Sequence, residues 1–418
     1  MKFITLVRVY CVLCILFVAN VHAGPLVDAY NKAQAVDPLY LSALAERDGN
    51  IMAARIAGAA YYPQLKISSS QLENEGGGER RTISVLQPVI SADRFATMRE
   101  KTPRLVIAEA TVRLKEKELA TRLFKVFADV LRAREGMQQN KIKLEALDQQ
   151  LRAARRAFDL GQGTITDVRD TEVRHLQARA DGLKMRAQEV SAAKEYESIV
   201  GEPFTEIKLA SQWHVSRLEH ANSIKLEAKD KIESHEANPD LIIARQQERI
   251  GELGVTKAKT AWIPNLNLSH TMTDKGGEKN SFTGISISMP VDASGIYGIY
   301  TADSNLVKLK EERRDKERSV RLEVDRLEVL LESAVSEIET RLAAIDAANL
   351  SIEANEKSFK GGVRSKTDVL NSIEMLYSIK MEYIGALLEM GGNLLNFKLQ
   401  QGNSAIQGLK DVEIAILG

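Results

Sequence analysis

The chain is written twice. The stretch "FDLGQGTITDV" at 158–168 returns at 359–369 as "FKGGVRSKTDV", with Phe, Gly, Thr, Asp and Val in matching places 201 residues apart. The same offset joins Asp37-Pro38 to Asn238-Pro239, and "YYPQLKIS" at 61–68 to "WIPNLNLS" at 262–269. "ISVLQPV" at 83–89 answers "ISISMPV" at 285–291 with the offset grown by one. Matched punctuation at near-constant spacing marks a duplication, and the period is far longer than that of a solenoid. Whatever one half folds into, the other must repeat.

Each half has the same grammar. Asp37 or Asn238 can cap a helix whose first residue is proline, and that helix runs towards Pro63 or Pro264. There the apolar period falls from 3.6 to 2: Leu65 and Ile67 in one copy, Leu266, Leu268 and Met272 in the other. Gly-rich turns and returning strands follow, predicting β-hairpins over 64–89 and 265–290. Strands of about eight to ten residues are long enough to cross a bilayer when tilted. Prolines 63, 88, 264 and 290 are expected at strand–helix junctions, because proline interrupts both ladders.

Beyond the hairpins the pattern is helical. Leu144, Leu147, Leu151, Ala154 and Phe158 step by 3 and 4, and so do Leu176, Ala180, Leu183, Ala187 and Val190. The second half repeats this with Ile338, Leu342, Ile345, Ile352 and Phe359, then Leu370, Ile373, Tyr377, Met381, Ile384 and Leu388. Such seams on both sides of a Gly turn predict helical hairpins with coiled-coil packing. An arm over 92–160 would reach about 100 Å at ~1.5 Å per residue, with Gly136 or Gly361 as local interruptions. The organisation expected is therefore a leader at 1–23, a first repeat at 24–203 with its tip near 161–167, and a connector at 204–236. A second repeat follows at 237–403 with its tip near 361–368, then a short, uninformative tail at 404–418.

The leader has Lys2 and Arg8, an apolar run from Val9 to Val18, and Val21-His22-Ala23 with small residues before the cut. This is the pattern of a secretory signal peptide ending after Ala23, too short for a membrane span. Cys11 and Cys14, the two cysteines, lie inside it, and Cys11 stands where a lipobox would hold Leu. The mature chain would then have no thiol, which suits an oxidising compartment. Removing Lys2 and Arg8 leaves 55 basic against 57 acidic residues, a formal charge of −2, with no basic excess for nucleic acid. No later run reaches 18 apolar residues, so any membrane crossing must use strands.

Four strands cannot close a barrel, and an open sheet edge in lipid costs several kcal/mol per unpaired group. About eight strands are the minimum, so if these strands sit in a membrane at least two chains must contribute. An enzyme is not indicated. His175, His214, His220, His235 and His270 lack metal-ligand spacing, and "GGVRSKTD" has Ser365 where a phosphate loop needs Gly. No cofactor is expected. The alternative from another class is a soluble periplasmic coiled-coil scaffold or adaptor, which leaves the two matched β-hairpins unexplained.

In "DAYNKAQAVDP", "YYPQL", "LQPVISADR" and the paired "TDV" turns, in that order and duplicated, the chain resembles the TolC-like outer membrane efflux protein family over nearly all its mature length. The resemblance implies an α+β membrane fold: a homotrimer with a 12-strand barrel, four strands per chain, continuing into a periplasmic α-helical tunnel. It implies an exit duct in the bacterial outer membrane, with a periplasmic adaptor and an inner membrane transporter, ABC-type or proton-driven, as partners. The repeated tips would form the periplasmic entrance. Asp368 and Asn371 match the family's pore constriction, Asn371 standing where a second acid is usual. At the tips Thr166 and Thr367 can cap the returning helices, with Asp167 and Asp368 in the positive first turn. Arg364 is expected to pair with Asp167 as a latch alongside Thr166 and Asp170. Leu160, Gly161, Thr164, Ile165, Gly362 and Val363 are the expected adaptor contacts.

Overall fold

The structure is a computed structural model that describes residues 24–71, 79–205, 237–289 and 293–417. The leader, Pro290 and nearly all of the expected connector lie outside the described residues.

Each half opens with proline-started helices. In the first, α1 (Pro25–Val36) and α2 (Pro38–Gly58) precede a 3-10 turn, and β1 (Gln64–Gln71) pairs with β2 (Glu79–Ile90). Asp37 caps α2, its carboxylate accepting from the Tyr40 amide at 2.8 Å. A short α3 (Ala92–Arg99) leads to the 59-residue α4 (Lys101–Asp159) and back along α5 (Ile165–Val200). The second half repeats this as α6 (Pro239–Thr260), β3 (Asn265–Lys275), β4 (Glu278–Ser288), the 68-residue α7 (Ala293–Lys360) and α8 (Lys366–Gln400). Asn238 caps α6 as Asp37 caps α2, accepting from Asp240 N at 2.9 Å.

The expected continuous arm over 92–160 is broken at Glu100. Pro103 explains this: it cannot donate to Arg99, and its ring crowds that carbonyl. Gly136, expected as an interruption, sits inside unbroken α4 instead. A Cβ there would press on Met381 Cε at 3.1 Å and Met185 Sδ at 3.3 Å, so the glycine serves close packing.

The four strands form one antiparallel sheet in the order β1-β2-β3-β4. Register places Leu65 opposite Val85, Ile67 opposite Ile83, Ile83 in turn opposite Met272, and Leu268 opposite Ile285. With Leu266 facing Ile287, these make one apolar face. The opposite face carries mostly polar residues, Lys66, Ser68, Ser70, Thr82, Ser84, Asn267, Ser269, Thr271 and Ser286, as period 2 requires, with Leu86 and Phe282 among them. The apolar face is open, Ile67 being 70% and Ile287 73% exposed. Pro63 and Pro264 immediately precede β1 and β3, whereas Pro88 lies within β2. Its missing N–H coincides with a register shift between Pro88 and Ile90, so it marks a bulge, and the junction itself falls at Ser91, the cap of α3.

The helical core gathers Leu119, Leu123, Phe127 and Leu131 of α4 with Leu387, Leu388, Leu394 and Leu395 of α8. Leu26 and Tyr30 of α1 and Tyr196 and Ile199 of α5 complete it. The tail, read as uninformative, contributes too: α9 (Ala405–Ile416) buries Leu409, Val412 and Ile416 against this cluster. Among the described residues no helix is long and apolar enough to cross a membrane.

Candidate functional site at the hairpin tips

The two tips are built from the same two caps. Helix α4 ends in a Schellman motif: Gly161 has φ +68, its amide donates to Phe158 O at 2.9 Å, and Gln162 N donates to Ala157 O at 2.8 Å. At the end of α7, Gly362 has φ +73, with Gly362 N to Phe359 O and Val363 N to Ser358 O, both 3.0 Å. An L side chain is disfavoured at either positive φ. This is why the glycines recur.

The returning helices start with capping boxes. Thr164 Oγ1 accepts from Asp167 N at 3.2 Å, while Asp167 Oδ2 accepts from Thr164 N at 3.2 Å and Thr164 Oγ1 at 2.7 Å. Ser365 and Asp368 repeat this at 3.2, 3.0 and 2.9 Å. The caps are thus Thr164 and Ser365, two residues before the expected Thr166 and Thr367, because the aspartate three positions on from each completes the reciprocal pair. The signal, Ser/Thr-x-x-Asp, stands in the sequence twice. The donors on Ser365, backbone first and hydroxyl second, hold the Asp368 carboxyl below the ordinary aspartate value, with nearby Arg364 assisting.

Within the single chain Arg364 and Asp167, the expected latch, form no ion pair. Asp167 is engaged in its own box, and the cation on the other hairpin that senses its charge is Lys366. Lys366 is 8% exposed and donates to the carbonyl of Gln150 on α4 at 2.8 Å. Burial lowers its pKa, partly offset by Asp167. Arg364 lies beside Asp368 of its own hairpin instead.

A second link between the hairpins was not foreseen from sequence. Arg174 of α5 donates to Glu374 Oε2 at 2.7 Å and to Asn371 Oδ1 at 2.9 Å, both on α8. Asn371 therefore engages the neighbouring hairpin, while Asp368, the other expected constriction residue, is held by its cap. Leu147 of α4, Ala178 of α5 and Leu370 of α8 form a small buried cluster between these polar links. Asp170 is exposed one turn into α5. Leu160 and Val363 project at the tips, 72% and 82% exposed, with Ile165 also exposed and Gly161, Thr164 and Gly362 in the turns beside them.

The seam expected on α5 is on the wrong face for its own hairpin. Leu176, Ala180, Leu183, Ala187 and Val190 are all exposed, and Ala178, Ala192 and Tyr196 are buried instead. With Val173 the exposed stripe steps 3, 4, 3, 4, 3, which is a heptad seam without a partner among the described residues.

Searched against protein-family models, the chain matches none. It is similar to the alkaline protease secretion protein AprF of Pseudomonas aeruginosa, 23% identical over 85% of this chain and 80% of that protein. It is 22% identical to the outer membrane protein TolC of Vibrio cholerae, covering 95% and 94% of the two chains. Its fold matches the crystal structure of the outer membrane protein VceC from Vibrio cholerae with a TM-score of 0.77 at 16% identity, over 91% of this chain and 96% of that one. The duplicated sheet and hairpins, together with these likenesses along nearly the whole chain, indicate the TolC-like outer membrane efflux family.

Proposed function

We propose that this protein is the outer membrane exit duct of a tripartite export system, assembled from several copies of the chain. The observation that carries this reading is the sheet. One face is apolar and exposed, the other is mostly polar, and among the described residues β1 and β4 leave both edges unpaired. In lipid those edges must be closed, and β4 of one copy pairing with β1 of the next closes them. Three copies give 12 strands, an even-numbered barrel with a polar lumen. The heptad stripe Val173–Val190 on α5 supports the same assembly below the membrane, since it offers a coiled-coil seam to a neighbouring copy. Helices of 59 and 68 residues extend about 90 and 100 Å, enough to carry the lumen far into the periplasm.

The repeated tips would meet a periplasmic adaptor through Leu160, Ile165 and Val363, and an inner membrane transporter would supply the cargo. The cargo class is protein or small molecule, chosen by the transporter and adaptor. The likeness to named outer membrane and secretion proteins favours the duct over a soluble scaffold. Cysteines placed on the facing edges of β1 and β4, such as Ser68→Cys with Ser286→Cys, test closure directly. Oxidation should give a covalent ladder of chains ending at the closed ring, whereas purely intrachain products or monomers would refute it.

A further inference from the structure

We infer that removal of the leader creates an ion pair, between the new α-ammonium group of Gly24 and the Glu413 carboxylate, that ties the two ends of the mature chain together. The inference rests on the sequence reading that the leader ends after Ala23. Gly24 is the N-cap of α1, with Pro25 at the first helical position and no side chain to cap the helix. Glu413 of α9 occupies the place a side chain would take: a Cβ on Gly24 would overlap its carboxylate atoms. The Gly24 nitrogen is bonded to the same Cα that this carboxylate lies against. The amides of Leu26 and Val27 are also directed at Glu413, so the carboxylate serves as a cap from a distant helix.

The surroundings make this a held position. Leu409, Val412 and Ile416 anchor α9, and Leu26, Val27 and Tyr30 anchor α1, in one buried cluster. An ammonium group at a helix N-terminus is disfavoured by the helix dipole, and burial disfavours the charged form of the Glu413 carboxylate. Each group answers the other's deficit. The other charged group acting on Glu413 is Asp28 in the first turn of α1, of the same sign; it adds to the negative field that a cation would meet. In the precursor the Gly24 nitrogen is a neutral amide and supplies no charge, so processing and docking of the C-terminal helix become coupled.

The test is selective acylation of amines on the full mature protein in detergent, followed by mass spectrometry of the N-terminal peptide. A carboxylate partner keeps the amine protonated and unreactive. At neutral pH the Gly24 amine should react about tenfold more slowly in the native protein than after denaturation, the effect of one unit in pKa. Glu413→Gln, which keeps size but not charge, should remove that protection, and Glu413→Asp should retain part of it. Equal rates in native and denatured wild-type protein, or full protection surviving in Glu413→Gln, would overturn the ion pair. If Glu413→Gln fails to assemble, the native-against-denatured comparison on the wild type decides. The same peptide mass reports where the leader is cut: a start other than Gly24 would overturn the leader boundary, a failure distinct from equal rates at a correct start.

Discussion

Replacing Arg174 with alanine should loosen the two hairpins of each chain at the periplasmic end. Arg174 spans α5 and α8 with one ion pair, to Glu374, and one charge-assisted hydrogen bond, to Asn371. The side chains of Arg174 and Glu374 are 22% and 36% exposed. Solvent screening therefore limits the pair to about 1 kcal/mol, and the bond to Asn371 adds about 1 kcal/mol more. Glu374 can rehydrate when left alone, so no large penalty for a stranded charge arises. The loss is then about 1–2 kcal/mol per chain, or roughly 5- to 30-fold in the local equilibrium between docked and undocked tips. Single-channel conductance in planar bilayers reads this, and R174A should open more often or more widely than wild type. Asn371→Asp turns a neutral acceptor into a charged one facing Arg174, and should shift conductance the opposite way. The opposed signs are the decisive feature. If both variants raise conductance equally, or neither changes it, the link does not hold the tips.

The exposed stripe on α5 gives a second prediction: Leu183→Asp, at a position 66% exposed in one chain, should leave the chain folded but lower oligomer recovery on size-exclusion chromatography, because a charge would enter an intermolecular seam. Gly161→Ala and Gly362→Ala should each cost about 1–2 kcal/mol through the positive φ, seen as faster proteolysis at the tips. Ser365→Ala removes the donors' hydroxyl from Asp368 and should cost about 1 kcal/mol as a lost cap. It should also change the acid limb of tip stability. The folded Asp368 value is depressed, so its contribution is complete above the ordinary aspartate value and disappears as pH falls through the lower folded one. Limited proteolysis against pH should show S365A losing tip protection at a higher pH than wild type.

Much of this architecture is written in the sequence because duplication repeats each signal. Asp37-Pro38 and Asn238-Pro239 announce their helices, Pro63 and Pro264 their strands, and the glycines their turns, each by local chemistry that needs no tertiary partner. Local signals also misled where two residues could serve. Thr164 and Thr166 both precede Asp167, and only the three-residue spacing of the capping box selects Thr164. Alanine and leucine at heptad spacing on α5 say that a helix packs there, but not whether it belongs to the same chain. Arg174 was illegible for a related reason, since its partners lie on the other repeat, 197 and 200 residues away. The C-terminal helix was legible and overlooked: Ser404 caps it, and Ala405, Leu409, Val412 and Ile416 step by 4, 3 and 4.

The most direct test of the account is conductance of the purified full-length protein, extracted from membranes with detergent and added to a planar lipid bilayer. Discrete, uniform current steps from a stable oligomer are expected, as a closed barrel with a polar lumen requires. Release of the protein from membranes by a salt wash alone, with no current steps in the bilayer, would contradict the duct and favour a soluble scaffold.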